Sequence, residues 1–236
     1  MANKTTKPKP WLGRLACQNR SERTRQRLIE VAVDVFSDLG YEAASTRTIV
    51  ERAQANLVSI PYYFGSKLGL YHSVAEYIGS NIEARFMPAC AHAYESLQQP
   101  NLTREQIMDL FLRFMEEFAR LMLGADAPSC WGQFIYREQF DPTEAFEIIH
   151  SHFLRLLEVG FEYVSRLTGK PATSPETRIQ FMAVLSMVKF TRTDRASVLR
   201  AMGWKQFGED ETEIVLDMLR HNLLAMFGHP AQENAH

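Results

Sequence analysis

The residues of this chain best suited to metal or acid–base chemistry are its seven histidines and the acids near them. Glu147 and His150 form a Glu-x-x-His element, which di-iron four-helix bundles use. Such a site needs two of these elements and two further glutamates, and the sequence offers only one. His150 and His152 are two residues apart, about 200° around a helix, so they cannot share a metal. We therefore expect no metal site.

An enzyme is also not indicated, and no cofactor is expected. The sequence contains no glycine-rich phosphate loop and no GxSxG nucleophile motif. Its serines, histidines and acids follow no arrangement that acyl transfer requires. The three cysteines, Cys17, Cys90 and Cys130, have neither disulfide nor zinc spacing, which fits a reducing cytoplasm. No apolar run approaches the roughly 20 residues of a membrane span, so we expect a cytoplasmic protein without a membrane partner.

The charge distribution favours a nucleic-acid partner for the N-terminal part of the chain. Residues 1–67 contain 11 Lys and Arg against 6 Asp and Glu, a net charge of +5. The remaining residues carry 15 against 22, a net charge of −7. Phosphate neutralisation needs basic residues where the nucleic acid lies. Ordinary helical surfaces show similar imbalance, so the charges alone leave DNA binding and a solvated surface both open.

Hydrophobic periodicity and capping signals predict an all-α fold. Residues 1–20 hold five basic residues and no acid, and we expect a flexible basic arm. The first helix is predicted to start at Ser21 and end at Gly40. Two short helices at 46–53 and 57–64 follow, separated by Gln54-Ala55-Asn56. Two short helices joined by such a turn are typical of a helix-turn-helix that places its second helix in the DNA major groove.

The rest of the chain is predicted to be a helical body over residues 68–228, with a tail at 229–236. Its fourth helix should be bent or stopped by Pro88. Thr103 to Gln106 form a capping box, and Asp141-Pro142 and Ser174-Pro175 are further helix starts. A short helix over 195–202 and a last helix ending at Gly228 complete the body.

Residues 24–72 resemble the N-terminal domain of the TetR family of transcriptional repressors, with the DNA-binding domain at 21–67. The order and spacing of the family's motifs agree over nearly fifty residues. The resemblance implies an all-α homodimer that binds a palindromic double-stranded operator and holds a ligand in each C-terminal domain. The residues that carry it are Phe36, Gly40-Tyr41, Ser45-Thr46-Arg47-Thr48-Ile49, Glu51-Arg52-Ala53, Tyr62-Tyr63-Phe64-Gly65-Ser66-Lys67 and Leu70-Tyr71.

The resemblance also implies which residues contact DNA. Ser45 and Thr46, at the start of the second helix, match phosphate-contacting positions, and so does Lys67 at the start of the fourth helix. Arg47 matches a position that can reach either a phosphate or a guanine edge. Tyr62 matches a contacting position, but its spacing also fits a side chain packed inward. The implied DNA contacts are Ser45, Thr46, Arg47, Leu57, Val58, Ser59, Tyr62, Tyr63 and Lys67.

Two departures from the family pattern concern the helix-turn-helix itself. Gln54-Ala55 stands where the family usually has Gly-Val, and Pro61 stands where it usually has tyrosine. Proline in a helix interior costs up to about 3 kcal/mol, so we expect the recognition helix to begin at a Ser59 cap with Pro61 in its first turn. Leu57 and Val58 cannot hydrogen-bond to bases and could touch only a thymine methyl.

The C-terminal part resembles the CecR-type C-terminal domain, a subgroup associated with control of transport and drug-sensitivity genes. The matching segments are residues 136–143 and 195–204. Large aromatic and methionine side chains, with polar groups among them, predict a pocket for a partly apolar small-molecule effector, although plain core is the alternative for each. The expected ligand-binding residues are Phe111, Met115, Phe118, Trp131, Phe134, Arg137, Met182, Ser186 and Lys189.

The last two long helices are predicted to form the homodimer interface, because their apolar surface exceeds one face. Two such helices from each subunit would make a four-helix interface. The expected interface residues are Met187, Leu216, Leu219, Leu223 and Phe227.

Together these features predict a ligand-responsive transcriptional repressor that acts as a homodimer. Two other classes stay open. One is a small-molecule-binding or enzymatic helical bundle with a non-functional helix-turn-helix, which a mobility shift on DNA would distinguish. The other is a helical scaffold that binds another protein through its last helices, which light scattering showing a closed dimer would disfavour.

Overall fold

A computed structural model describes residues 10–124 and 129–228, with side chains for 20–124 and 130–228. These residues form helices and no strand, which confirms the all-α prediction. Within the same residues, no helix combines the length and apolar character needed to cross a membrane. The helices are α1 Pro10–Ala43, α2 Thr46–Arg52, α3 Ser59–Phe64, α4 Lys67–Leu97, α5 Arg104–Leu123, α6 Ser129–Phe140, α7 Glu144–Thr168, α8 Pro175–Thr193, α9 Arg195–Met202 and α10 Glu209–Phe227.

The first helix begins earlier than predicted. It starts at Pro10, and a proline is well suited to the first turn of a helix. Ser21 lies inside the helix, where its hydroxyl donates a hydrogen bond to the Tyr63 hydroxyl at 3.0 Å. The prediction of a cap at Ser21 is therefore wrong. Of the predicted basic arm and tail, residues 1–9 and 229–236 lie outside the described residues.

Gly40 interrupts α1 near its end, as the sequence predicted. Its φ of 77° lies in the left-handed region, where a side chain would be strained. An added Cβ would meet the Arg137 guanidinium only at 3.4 Å, an ordinary contact, so the positive φ is the reason for glycine here. The helical turn resumes to Ala43 and leads into α2.

Capping chemistry sets three other helix ends where the sequence predicted. Thr103 and Gln106 form a reciprocal capping box at the start of α5. The Ser174 hydroxyl accepts the backbone N–H of Thr177 at 3.2 Å at the start of α8. Gly203 ends α9 in the left-handed conformation.

Pro88 does not stop α4, so of the two predicted outcomes, a bend or a stop, the stop is wrong. The proline removes the hydrogen bond that its N–H would have donated to Ala84, yet the helix continues to Leu97. The turns beyond Pro88 carry Cys90, Ala93 and Leu97, all at most 3% exposed in the core. Burial of that apolar face offsets the missing hydrogen bond.

The contacts divide the chain into two compact units. Unit 1 comprises residues 10–77 and 133–146 of the described chain, and unit 2 comprises the rest. The sequence predicts a contiguous boundary at residue 67, so the assignment of 133–146 to unit 1 is unexpected. Helices α4, α6 and α7 each contribute residues to both units.

Each unit has its own hydrophobic core. In unit 1, α1 packs on α2 and α3. The core side chains there, which include two from α4, are essentially inaccessible: Leu28, Ala32, Val35, Phe36, Ile49, Ala53, Ile60, Leu70 and Val74. In unit 2, aromatic rings from several helices meet. Phe111 lies 5.2 Å from the Tyr163 ring, 5.9 Å from Phe227 and 6.3 Å from Phe181, between ring centroids.

The first prediction concerns close packing in unit 2. A Cβ at Gly160 would lie 1.9 Å from the ring of Phe181, which is fully buried. Gly160→Ala should therefore lower the free energy of unfolding by about 1–3 kcal/mol through overpacking. Gly132→Ala is the control, because its Cβ would meet only the Arg192 Nε at an ordinary 3.6 Å. Chemical denaturation that leaves the Gly160 variant as stable as wild type would contradict this packing.

Candidate nucleic-acid interface

Helix α2 is fixed by a polar cap and two buried side chains. The Ser45 hydroxyl accepts the backbone N–H of Thr48 at 3.0 Å. Ile49 and Val50 face the core of unit 1, at 0% and 4% exposed. The opposite face, which includes Arg47, is exposed. A helix N-terminus with free N–H groups and an exposed basic residue suits a phosphate.

The turn between α2 and α3 explains how glutamine replaces the glycine of the family pattern. Gln54 has a φ of 48°, so its backbone adopts the left-handed conformation that glycine would favour. Three hydrogen bonds hold the turn. The Gln54 N–H donates to the Glu51 carbonyl at 3.2 Å, the Ala55 N–H donates to the Val50 carbonyl at 2.9 Å, and Arg27 donates to the Gln54 carbonyl at 3.4 Å. Gln54 therefore stands in for the family's glycine by adopting the left-handed backbone conformation itself.

The start of α3 accommodates Pro61 without losing a helical hydrogen bond. The Asn56 side chain accepts the Val58 N–H at 3.1 Å, and the Asn56 carbonyl accepts the Ser59 N–H at 2.9 Å. Val58 is the cap, so the predicted Ser59 cap is wrong by one residue. Pro61 is the third residue of α3, confirming its place in the first turn, where N–H groups have no intrahelical partner.

Helix α3 turns one apolar residue inward and presents the others outward. Ile60 is 1% exposed, whereas Leu57 and Val58 just before the helix are 54% and 66% exposed. Tyr62 is 78% exposed, which decides against the alternative that it packs into the core. Tyr63 is half-buried, and its hydroxyl accepts the hydrogen bond from Ser21.

The two basic residues predicted to contact phosphate are held in different ways. Arg47 pairs with Glu51 at 2.9 Å, and this hydrogen bond raises the pKa of the guanidinium. Lys67, the first residue of α4, lies over the Tyr41 ring with its Nζ 4.4 Å from the centroid. Its ammonium also donates to the Glu42 carbonyl at 3.4 Å. Each of the two positively charged groups is therefore held in place by contacts within unit 1.

All nine predicted DNA contacts lie in unit 1, on α2 and its cap, on the residues just before and within α3, and at the start of α4. We call this the α2–α3 surface. Sequence reasoning missed two basic residues of α1 beside it. Arg25 lies over the Phe64 ring at 5.4 Å, and Arg27 bonds the turn at Gln54. The basic spacing at positions 20, 23, 25 and 27 was the available signal.

The predicted effector residues do not gather at one site. Phe111, Met115 and Phe118 are at most 4% exposed and form part of the packed core of unit 2. Met182 and Ser186 are exposed on α8, and Lys189 is half-buried there.

The other three expected effector residues have partners of their own. Trp131 is buried in unit 2 beneath the Arg85 guanidinium, 5.4 Å from the ring centroid. Phe134 and Arg137 belong to unit 1. The large side chains in unit 2 pack against one another.

A shallow cavity of about 310 Å³ does occur in unit 2, between α4 and α7. Arg155 lies over the Tyr94 ring on its wall, 4.5 Å from the centroid. None of the predicted effector residues lines it. Its lining residues are Tyr94, Leu97, Gln98, Arg155, Glu158, Val159 and Glu162.

The predicted dimer residues need a correction. Leu216, Leu219, Leu223 and Phe227 are at most 2% exposed and belong to the core of unit 2, so they offer no surface to a second chain. Met187 is only partly buried. These residues of α10 pack on α5 and α8, and periodicity alone cannot show which apolar face of a helix is covered within the chain.

The histidine and acidic residues form no metal centre within the described part of the chain. No group of three or more His, Cys, Asp or Glu there could hold a metal ion. His152 instead contacts Glu83 at 2.6 Å, through Nδ1.

The fold and the α2–α3 surface define a helix-turn-helix protein, and comparisons identify its kind. Residues 28–74 match the family model for bacterial regulatory proteins of the tetR family. Residues 107–228 match the model for the C-terminal domain of the HTH-type transcriptional dual regulator CecR. The chain belongs to the TetR family of transcriptional regulators and carries a CecR-type C-terminal domain.

Individual relatives agree with this assignment. The chain is 30% identical over 197 residues to the HTH-type transcriptional dual regulator CecR of Shigella flexneri, covering 83% of this chain and 87% of that protein. Among solved structures, a transcriptional regulator from Rhodococcus sp. Rha1 matches with a TM-score of 0.57 at 18% identity, over 86% and 96% of the two chains. AibR in complex with isovaleryl coenzyme A and operator DNA matches with a TM-score of 0.58 at 14% identity, over 86% and 98%.

The second prediction tests the cap of α2. Ser45→Ala removes the hydroxyl that accepts the Thr48 N–H, so the free energy of unfolding should fall by about 1 kcal/mol. Tyr62→Ala is the control, because that ring is exposed and should change stability by less than about 0.5 kcal/mol. Equal stability losses in the two variants, measured by urea denaturation, would contradict the assigned cap.

Proposed function

We propose that the protein is a ligand-responsive repressor that binds a palindromic double-stranded operator as a homodimer, with the α2–α3 surface in the major groove. The observation that carries the proposal is this exposed surface on a rigid support. Its inward residues are nearly inaccessible, while Leu57, Val58 and Tyr62 are more than half exposed. A monomer exposes large apolar side chains at such density chiefly where it binds a partner.

The roles of the surface residues follow from their chemistry. The free N–H groups at the start of α2, with Arg47 and Lys67, suit phosphate contacts that set the position on the duplex. Leu57 and Val58 can contact only thymine methyl groups, and the Tyr62 hydroxyl can hydrogen-bond to a base edge or a phosphate. Sequence preference at these positions should therefore be partly a preference for thymine.

The third prediction tests the phosphate contacts. Arg47→Ala combined with Lys67→Ala should weaken operator binding, because each phosphate that stays unneutralised keeps its condensed counterion. The slope of log affinity against log salt should become shallower by about 0.9 for each such phosphate, up to four in a homodimer. The operator would come from selection of bound sequences from random DNA, and affinity would be measured by fluorescence anisotropy.

A matched control keeps the same change of charge. Arg113→Ala with Arg200→Ala removes two exposed positive charges from unit 2 and should leave the salt slope unchanged. A double variant of Arg47 and Lys67 with the wild-type slope would show that DNA lies against another face.

The homodimer is proposed to form through the exposed apolar face of α8 together with that of α10. Ile179, Met182 and Phe190 are 71%, 41% and 40% exposed, and their spacing of three and eight residues puts them on one face of α8. The two helices pack on each other, and the Asn222 amide contacts the Met187 sulfur at 3.9 Å. On α10, Ile214 and Leu224 are also exposed. Two copies would bury these faces as a four-helix interface.

The fourth prediction tests this interface. Ile179→Asp or Met182→Asp should give monomers in sedimentation, because an unpaired carboxylate in an apolar interface is strongly unfavourable. DNA affinity should fall with dimerisation, since one half-site offers half of the contacts. Leu154→Asp is the control, an exposed leucine on α7 that should leave the dimer intact. If both α8 variants remain dimeric, the interface lies on another surface of the protein.

The effector is proposed to be a partly apolar small molecule bound by unit 2. The aromatic and methionine core there is closed, with Phe111 and Met115 at 0% exposed. A ligand entering that core must favour a different arrangement of its side chains, and methionine adapts readily. Differential affinity for two arrangements is the condition under which an effector shifts DNA binding.

A further inference from the structure

A buried carboxylate joins the end of α6 and the start of α7 to α4. Glu138 is 2% exposed, and its Oε1 accepts the Tyr71 hydroxyl at 2.5 Å. Its Oε2 accepts both the backbone N–H of Thr143, at 3.0 Å, and the Thr143 hydroxyl, at 2.9 Å. The Thr143 hydroxyl in turn accepts the Ala145 N–H at 3.1 Å. One side chain therefore fixes α4 and the first turn of α7 together.

The neighbouring residue joins the same segment to α1. The Arg137 guanidinium donates to the Ser37 and Asp38 carbonyls, each at 2.8 Å. These carbonyls lie in the last turn before Gly40 interrupts α1, and side-chain donors commonly satisfy carbonyls at a helix end. Arg137 thus caps the main part of α1.

The position of these two residues in the sequence is unexpected for such a role. Residues 133–146 fall within the match to the CecR C-terminal domain, at 107–228, yet their contacts place them in unit 1 with the helix-turn-helix. Helices α6 and α7 run from this segment into residues of unit 2. Unit 2 is therefore linked covalently to unit 1 through α6 and α7 as well as through α4. The polar contacts of Glu138 and Arg137 lie in unit 1, where α6 ends and α7 begins.

We propose that Glu138 and Arg137 are positioning residues for DNA recognition, which fix how α6 and α7 attach to α1 and α4 and so set the half-site spacing that the dimer accepts. The inference rests on the proposed function. A buried carboxylate with three donors tolerates little displacement, because the buried Tyr71 hydroxyl would be left unsatisfied away from water and Thr143 would lose two hydrogen bonds to a charged acceptor. The cluster consequently holds α1, α4, α6 and α7 together within unit 1, and we expect a dimer whose chain connections are held in this way to prefer one half-site spacing.

The test compares operators that differ only in spacing. Wild type and Glu138→Gln would be titrated against the selected operator and against copies with two base pairs added or removed between the half-sites. Glutamine keeps the size of the side chain but places an NH₂ donor where an N–H or O–H donor already points. The variant's preference for the native spacing should fall by about tenfold, the order of one charge-assisted buried hydrogen bond, while its affinity for an isolated half-site stays unchanged.

Two further variants make the result specific. Tyr71→Phe keeps the ring and removes one of the three donors, so it should reduce the spacing preference by less than Glu138→Gln. Glu144→Gln is the control, an 80% exposed acid six residues along the same segment that contacts His72 at 3.4 Å, and it should behave as wild type. If Glu138→Gln lacks the wild-type circular dichroism spectrum, Tyr71→Phe is judged in its place.

The outcomes separate this inference from the proposed function. A folded Glu138→Gln protein with the wild-type preference for spacing overturns the positioning role and leaves the repressor assignment intact. A parallel loss for native, altered and isolated half-sites also overturns it, because that pattern is a general loss of structure. Failure of wild type to select any DNA overturns the proposed function itself, and the positioning role with it.

Discussion

The structure of the DNA-binding unit depends on the burial of one tyrosine. Tyr71 is 3% exposed, and its ring contacts Phe36 of α1 at 4.8 Å, Tyr41 at 4.9 Å and Phe134 of α6 at 4.9 Å, between centroids. A buried phenol needs a hydrogen-bond partner, and Glu138 supplies it. Burial and this bond raise the pKa of Tyr71, so the hydroxyl remains a donor. Two elements, α1 and α6, are therefore fixed relative to α4 by one side chain.

This arrangement lets the recognition surface be exposed without being loose. Tyr41, on one side of Tyr71, also supports the Lys67 ammonium, so the same aromatic cluster positions a basic residue of the α2–α3 surface. The short helices α2 and α3 contribute few core residues of their own, chiefly Ile49, Val50 and Ile60. Helices this short are marginal alone, and packing within the unit holds them in place. Their outer faces are free to serve recognition.

The sequence predicts the features that have local causes. The caps at Ser45, Thr103 and Ser174 depend on residues three positions apart, and the structure confirms each. The fold class and the helix-turn-helix follow from the same local signals. The orientation of apolar faces does not, because Leu219 on α10 and Ile179 on α8 look alike in sequence but are 1% and 71% exposed. Partners distant in sequence decide which face is covered.

The same limit explains why the sequence does not place residues 133–146 with the DNA-binding unit. From the sequence, Arg137 and Glu138 are candidates for a ligand pocket or for a structural pair with other partners, and those partners lie about 70 to 100 residues earlier, at Tyr71, Ser37 and Asp38. Nothing local shows that a charged pair on α6 binds backbone carbonyls and a phenol. Gly40 has a local cause, its positive φ, and the sequence therefore marks this helix end correctly. The carbonyls just before it are satisfied by a side chain nearly a hundred residues further along the chain, and no local pattern can show that contact.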